Sequence, residues 1–520
     1  MSTLLLFAVL LAGIVVLTPL ADRLRVPLPV LLTVFGLLVP LVPATPAIRV
    51  DPEYILPLVL PPLLFAATQR STAREFKDNA RPILLLAVGL TIASAGAVAW
   101  LAHLGGIPWG PAWVLGAIVA PPDPVAATAV ARRLKLPGRI VTVLEGEGMF
   151  NDATALVLYH VAVAAVVTGE VTAGGVGLDL LLAVVGGIVV GLVGGWLGHL
   201  VLGRLHIAAA ETTVTLALPF AAYLVAEEVH GSGVLAVLTL GLLLRTVSHT
   251  SITSGGWLLG RAVWEYADYL ITAFVFVLIG FELTEVLESS PVAREALPLA
   301  LGIVALLVVL RFVWMFPAVL LVRARTRREG HGDTFTNKET TVISWAGMRG
   351  VVTVASALAL PYLADGGEDF PHRDDLVFIG LVVVLATLVL QGLTLSPLVK
   401  RLGVGSEVDE AREVAALRER ASRAALASVR ETDDVPEAVR DSVAEQYEGY
   451  LRAQITLRRA RAAGRDHDDE YGRYVDALLR RANEVERAVV ITARNAGEVS
   501  PEVADAVLED VEARAVRDLD

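Results

Sequence analysis

Three groups of ionisable and helix-breaking residues interrupt stretches of this sequence that are otherwise apolar. They are residues 121–124 (PPDP), 147–152 (EGMFND) and 347–350 (GMRG). An ionisable side chain within a membrane-spanning helix is costly, and it is usually retained where ions are bound or carried. These groups are therefore the candidate functional residues of the chain.

The prolines of the first group predict a break in the helix that contains them. A proline inside a helix removes an amide donor and clashes with the preceding turn. Non-helical backbone is tolerated at membrane depth only when it is buried in protein or lines a watery cavity. We therefore expect backbone carbonyl and amide groups to line such a cavity together with the Asp123 carboxylate. A simple proline kink is the alternative, and it leaves Asp123 as an unexplained buried charge.

Asp152, in the second group, is the strongest candidate for binding a proton. It follows Gly148 by four residues, so the two share a helix face and the glycine leaves space beside the carboxylate. Burial disfavours the charged form of a carboxylate, so this group would take up a proton more readily than an exposed one. Glu147 and Asn151 share the neighbouring face. A hydrogen-bonding pair between helices, without transport, is the alternative.

Arg349, in the third group, stands between Gly347 and Gly350. A buried guanidinium needs a counter-charge, and the two glycines favour a second helix break. The alternative is an arginine at a helix end near the membrane interface. The two broken helices lie seven helices apart, so they cross the membrane in opposite directions. Broken helices at matching positions of two inverted repeats are typical of transporters with a site at the membrane midplane.

Thirteen apolar stretches must position these groups, because about 20 apolar residues are needed to cross a membrane. Asp22 and Arg23 follow the first stretch, which favours a retained helix over a cleaved signal peptide. We predict an all-α integral membrane protein in which helices 1–6 and 8–13 are inverted repeats. The predicted spans are 3–20, 28–43, 54–69, 82–103, 112–131, 140–168, 177–203, 209–228, 232–245, 264–286, 297–322, 338–360 and 375–398.

Charge divides the chain near residue 400. Residues 1–400 hold 52 of the 98 charged side chains, whereas residues 401–520 hold the other 46. The first part is predicted to be the transmembrane domain. The second is predicted to be a soluble helical domain for regulation or assembly, with helices over 408–429, 435–455 and 471–491. Its acidic balance argues against nucleic acid as a partner. The absence of cysteine excludes disulfides and thiolate metal sites.

Lys and Arg are concentrated in every second connection between the predicted spans, 18 residues against 3 when Arg245 and Lys338 at the span ends are counted with the adjoining connections. Basic residues accumulate on the cytoplasmic side of membrane proteins. The pattern predicts a multi-pass protein of the plasma (inner) membrane, with its N-terminus outside and its C-terminal tail in the cytoplasm. The tail is a candidate for self-association or for binding a regulator.

In these residues the sequence resembles the monovalent cation/proton antiporter family, of the sodium/proton exchanger type, and especially its bacterial members. The resemblance covers about residues 1–400, and residues 277–282 (VLIGFE) add to it. It implies a secondary active antiporter rather than an enzyme, without a cofactor. A monovalent cation, with Na⁺ expected first, would compete with H⁺ for Asp152 by alternating access. It also implies a homodimer within the lipid bilayer.

The resemblance implies roles for the surrounding residues as well. Glu147 would pair with Arg349 in a structural salt bridge. The asparagine that precedes the key aspartate implies electroneutral exchange of one cation for one proton, and it would also steady the unwound fifth helix. Asp123 would balance partial charges at the break. The residues that would support the ion site are Asn151, Asp123, Pro122, Thr128 and Gly148.

Two departures from the family pattern leave the cation open. Relatives often carry an acid where this chain has Ala66, and a serine where it has Gly148. A K⁺/H⁺ antiporter of the same mechanism is therefore the alternative, and Li⁺ also stays open. Asp268 and Glu282 are further buried acids without an assigned role.

Two other classes of protein fit the sequence less well than an antiporter. A cation channel needs a continuous pore with rings of ligands, whereas this sequence has isolated carboxylates beside two breaks. An intramembrane enzyme could use Asp123 and Asp152 as paired carboxylates, with His160 or His199 nearby. No spacing of a nucleophile and a base, and no metal-ligand motif, accompanies them.

Overall fold

The computed structural model is almost entirely helical in the residues that it describes. Those residues form two compact units, Met1–Ser406 and Glu407–Asp520. Among them the only β-type pairing is an isolated antiparallel bridge between Leu363 and Asp369. The structure describes residues 3–24, 26–42, 45–46, 51–69, 83–123, 127–128, 131, 134, 136–169, 173–247, 252–289, 295–329, 335–365, 367–404, 410–432, 435–463, 470–495, 503, 507–508, 510–511 and 513.

The first unit is a bundle of apolar helices, which confirms the predicted all-α class. Eight of the described helices are long and apolar enough to cross a membrane, and α2, α3, α5 and α9 are shorter apolar helices. A π-helical turn, Leu85–Leu90, runs directly into α4. The helices are α1 (Thr3–Leu24), α2 (Leu28–Leu38), α3 (Pro52–Thr68), α4 (Thr91–Leu104), α5 (Trp109–Val119), α6 (Gly138–Thr168), α7 (Ala173–Leu202), α8 (Ala208–Glu228), α9 (Gly233–Val247), α10 (Ser254–Ser289), α11 (Leu297–Glu329), α12 (Asn337–Trp345), α13 (Val351–Leu358) and α14 (Arg373–Leu402).

Both predicted helix breaks are present. α5 ends at Val119, with Ala120 between it and the prolines, and its predicted continuation toward residue 131 is interrupted. Residues 124–126, which include Pro124, lie outside the described residues, as do the basic connections 70–81 and 132–133. The predicted twelfth span is divided into α12 and α13, with residues 346–350 unwound between them. The number of thirteen spans and the inverted repeats stay predictions.

Glycine lets α2 and α10 touch backbone to backbone. A methyl group at Gly36 would overlap with the Val277 carbonyl of α10, and one at Gly280 would overlap with the Thr33 carbonyl of α2. Small residues permit this kind of close approach between helices in membranes, where dispersion contacts drive association. On the neighbouring side, the rings of Phe65 and Trp264 pack α3 against α10 with their centroids 4.7 Å apart. The position of α10 is thus determined from two sides.

The described residues of the second unit form three further helices, close to the three amphipathic segments that the sequence predicts. They are α15 (Glu410–Glu431), α16 (Glu437–Ala463) and α17 (Glu470–Asn495). Glu448 of α16 accepts hydrogen bonds from Arg452, one turn further along, and from Arg430 of α15. These hydrogen bonds, first the one from Arg452, hold the pKa of the Glu448 carboxyl below its ordinary value. That this unit is a soluble cytoplasmic domain stays a prediction.

Candidate ion-binding site

The two helix breaks meet each other inside the first unit. The backbone amide of Asp123 donates a hydrogen bond to the carbonyl of Met348 at 2.6 Å. The Asp123 carboxylate oxygen Oδ2 accepts one from the amide of Val351 at 3.0 Å. Val351 is the first residue of α13, and the amides at a helix N-terminus carry partial positive charge. Asp123 therefore places a negative charge where α13 favours one.

Arg349 supplies the opposite charge to the other broken helix. Its Nε donates to the carbonyl of Val119 at 3.0 Å, and its Nη2 donates to the carbonyl of Ala120 at 3.2 Å. These carbonyls stand at the C-terminus of α5, where a helix carries partial negative charge. The residue is buried. Each break is therefore stabilised by a charged side chain from the other.

The predicted salt bridge between Glu147 and Arg349 is wrong, because Glu147 pairs with Arg311 of α11 instead. Its two carboxylate oxygens accept hydrogen bonds from Nη1 of Arg311 at 2.5 Å and from Nη2 at 2.7 Å. Both side chains are buried, with 2% and 3% of their surface exposed. Arg311 also donates from Nε to the carbonyl of Ile343 in α12, at 3.2 Å. One residue thus ties α6, α11 and α12 together.

Sequence reasoning missed Arg311 altogether. It is the single charged residue between positions 297 and 322, inside a predicted membrane span. That isolation is the signal that could have identified it, because a lone charge in such a span is kept for a partner or a function. Gly347 makes room for it, since a methyl group there would overlap with the Arg311 side chain.

Asn151 contacts the broken part of the fifth helix. Its side-chain Nδ2 donates to the carbonyl of Pro122 at 2.9 Å, and the residue is fully buried. The Pro122 carbonyl belongs to the non-helical segment that follows α5. This contact provides what the predicted role of Asn151 requires, and the role itself stays a prediction.

A cavity of about 80 Å³ lies beside the breaks, between α3, α6, α10 and α13. Its volume is room for a few water molecules or for a partly hydrated alkali ion. Asp152, half-buried on α6, contributes to its wall. The lining residues are Leu60, Leu63, Leu64, Ala67, Asp123, Thr128, Glu145, Gly148, Met149, Asp152, Asp268, Thr272, Val351 and Val352.

Only some of the predicted site residues line this cavity. The predicted site residues that line it are Asp152, Asp123, Thr128 and Gly148. The others do not line it and take part in hydrogen bonds between helices and broken segments; they are Pro122, Asn151, Glu147 and Arg349. Among the described lining residues, four side chains are carboxylic acids and none is Lys, Arg or His. A site with this composition attracts cations and repels anions. Of the two unassigned acids, Asp268 lines the cavity and Glu282 does not.

Gly350 is required at the crossing of the breaks because a methyl group there would overlap with the Asp123 carboxylate. Gly350→Ala should therefore displace Asp123 from α13 and destabilise the protein by about 1–3 kcal/mol, the usual cost of overpacking. Thermal unfolding of the purified protein in detergent measures this change. Gly138→Ala is the matched control, since no described atom outside the adjacent chain and helix backbone lies within 4 Å of a methyl group at that position. Equal unfolding midpoints for the two variants would contradict the described contact.

Comparison with known proteins adds an independent observation. The sequence model of the sodium/hydrogen exchanger transmembrane family matches residues 7–401. An uncharacterized Na(+)/H(+) exchanger of Mycobacterium tuberculosis is 35% identical over 430 residues, which are 80% of this chain and 78% of that protein. A sodium, potassium, lithium and rubidium/H(+) antiporter of Bacillus subtilis is 30% identical over 390 residues, or 70% and 56% of the two chains.

The fold is also similar to that of a solved structure. It resembles the sodium proton antiporter MjNhaP1 from Methanocaldococcus jannaschii at pH 8, with a TM-score of 0.61 and 18% sequence identity. The similarity covers 77% of this chain and 99% of the other. At this level of identity the match concerns the fold alone.

Proposed function

The chain belongs to the sodium/hydrogen exchanger family, and from this premise we propose that it exchanges a monovalent cation for H⁺ at Asp152. One observation carries the proposal. Asp152 lines the cavity beside the crossed breaks, and no hydrogen bond or ion pair to a basic group neutralises it among the described residues. Asp123 and Glu147, in contrast, are engaged by α13 and by Arg311. The missing positive charge is supplied by the transported ion.

Competition for one carboxylate couples the two ion movements. A bare carboxylate is strongly disfavoured in an apolar environment, so the site changes the side to which it opens only after H⁺ or a cation has neutralised it. Each change of side then carries one ion, and the gradient of one drives the other. Both ions carry a single charge, so one cycle exchanges one cation for one proton without net charge transfer.

Na⁺ is the proposed cation, and K⁺ by the same mechanism is the alternative. The cavity offers carboxylate and hydroxyl oxygens, the ligand type that hard cations prefer. The name of the Bacillus subtilis relative includes four alkali cations. That breadth is the reason for testing several cations on this chain.

The experiment is proton movement in proteoliposomes that hold a pH-sensitive dye, with Na⁺, Li⁺ and K⁺ added separately. The proposal predicts cation-dependent proton movement at a rate that clamping the membrane potential leaves unchanged. A rate that follows the imposed potential would contradict one-for-one exchange. No response to any of the three cations would contradict antiport itself. Conductance in a planar bilayer above carrier rates would favour a channel.

The same proposal includes the arrangement of the protein in the membrane. The asymmetry of Lys and Arg supports an external N-terminus and a cytoplasmic tail in the plasma membrane. The opposite directions of the two broken helices support inverted repeats over helices 1–6 and 8–13. A homodimer, in which an ion-carrying part moves against a fixed part, completes the proposal.

A further inference from the structure

The cavity has a second polar wall, on a helix outside the crossed breaks. Asp268 and Thr272 of α10 line it together with Asp152 of α6. Asp268 and Thr272 are four residues apart, so they lie on one face of α10 at consecutive turns. Trp264, one turn before Asp268, is buried and packs on Phe65 of α3. α10 is therefore held in place with this face toward the cavity.

The hydroxyl of Thr272 is an independent sign that the cavity binds a polar ligand. Its Oγ1 is buried and has no hydrogen-bond partner among the described residues. A buried hydroxyl without a partner costs about 1–3 kcal/mol. A partly hydrated cation in the cavity would give this hydroxyl an interaction partner, whereas an apolar ligand would not.

The other walls supply oxygen ligands unevenly, and their described side chains with oxygen are Asp123, Thr128, Glu145 and Asp152. α3 contributes only apolar side chains, namely Leu60, Leu63, Leu64 and Ala67. On α6, Gly148 stands beside Asp152 without a side-chain oxygen. A cation that gives up part of its hydration shell needs several protein oxygens in exchange. Asp268 and Thr272 are the side chains on the α10 wall that can provide them.

We infer that Asp268 and Thr272 position the cation opposite Asp152 and determine its affinity and the preference among alkali ions. This inference rests on the proposed antiport at Asp152 and assigns a further part of the same site. Asp268 increases the local concentration of cations through its charge. Thr272 contributes a neutral oxygen, whose distance to the ion discriminates between Na⁺ and the larger K⁺.

The first test is the cation dependence of exchange in proteoliposomes for Asp268→Asn. We expect the half-saturating Na⁺ concentration to rise about tenfold, because the attraction of one nearby charge is lost. The maximal rate should stay within about twofold of wild type. Asp268→Glu, which keeps the charge, should stay close to wild type in affinity. An unchanged Na⁺ dependence in Asp268→Asn, or loss of exchange at saturating Na⁺, would overturn the inference.

Glu265→Gln is the matched control, because Glu265 lies on the same helix but is 60% exposed and paired with Arg261. It should leave the Na⁺ dependence unchanged, and a shift equal to that of Asp268→Asn would attribute the effect to general surface charge. Thr272→Val should change the ratio of Na⁺ to K⁺ affinity, and Thr272→Ser should restore it. Equal ratios of Na⁺ to K⁺ affinity in wild type, Thr272→Val and Thr272→Ser would show that Thr272 is not part of the cation site.

A binding measurement separates this inference from the proposed function. Na⁺ should raise the thermal unfolding midpoint of purified wild-type protein, since a ligand that binds only the folded state stabilises it. The concentration needed should increase about tenfold in Asp268→Asn and stay the same in Glu265→Gln. If wild type binds Na⁺ but exchanges no protons, antiport fails while the role of Asp268 stands. If Na⁺ stabilises Asp268→Asn as well as wild type, the role of Asp268 fails.

Discussion

Asp152→Asn is expected to reduce cation-dependent proton movement to the level of liposomes without protein. The amide has almost the same size as the carboxylate, but it carries no negative charge and does not bind a proton near neutral pH. Neither H⁺ nor a cation is then held in the cavity, so no ion is carried when the site changes sides. Dye-loaded proteoliposomes with Na⁺, Li⁺ or K⁺ measure the loss.

Asp374→Asn is the matched control for this substitution, because Asp374 lies at the start of α14 with 64% of its side chain exposed. It should exchange ions at the wild-type rate. Thermal unfolding in detergent should show that Asp152→Asn is folded, since removing a half-buried charge from an acidic cavity relieves repulsion. A folded Asp152→Asn protein that still exchanges ions would show that the transported ions bind elsewhere.

Arg311→Gln is expected to produce the largest loss of stability among single substitutions at the site. The change leaves the Glu147 carboxylate buried without its two hydrogen bonds. Breaking a buried ion pair by removing one partner costs about 3–5 kcal/mol, because an uncompensated charge remains. The contact between α11 and the end of α12 weakens as well, since Arg311 also donates to Ile343. The midpoint of thermal unfolding measures the effect.

Arg261→Gln provides the comparison, as it breaks the exposed pair with Glu265, in which both side chains are more than half exposed. An exposed pair contributes about 0–1 kcal/mol, so this variant should unfold close to wild type. Glu147→Gln combined with Arg311→Gln should recover part of the lost stability, because neither charge is then left alone. If Arg311→Gln and Arg261→Gln unfold alike, the buried pair does not hold these helices together.

The substitutions separate two properties of the site. Glu147 and Arg311 neutralise each other, so their removal should act on stability first. Asp152 has no such partner among the described residues, so its removal should act on transport first. A carboxylate that is already neutralised by protein cannot bind a transported ion without breaking that pair. Glu147 is paired with Arg311, and Asp123 is hydrogen-bonded to α13. Asp152 is therefore the carboxylate that we propose binds the transported ions.

The sequence by itself determined the features that depend on local physics. Apolar stretches of sufficient length predicted the helices because lipid leaves backbone groups no partner outside a helix. Prolines 121 and 122 predicted the end of α5, and glycines 347 and 350 predicted the unwound segment before α13, because ring sterics and backbone freedom act within a few residues. The cost of a charge in an apolar span made Asp152 a candidate for ion binding, and that role stays a prediction.

Only the tertiary structure decided which side chains meet. Glu147 and Arg311 are 164 residues apart, and no local pattern connects them. The family resemblance implied Arg349 as the partner of Glu147, whereas packing directs Arg349 to the C-terminus of α5. Asp268 likewise reaches the cavity because α10 is packed against α2 and α3. Helix periodicity determines which residues share a face, but the neighbour of that face is determined by how whole helices pack.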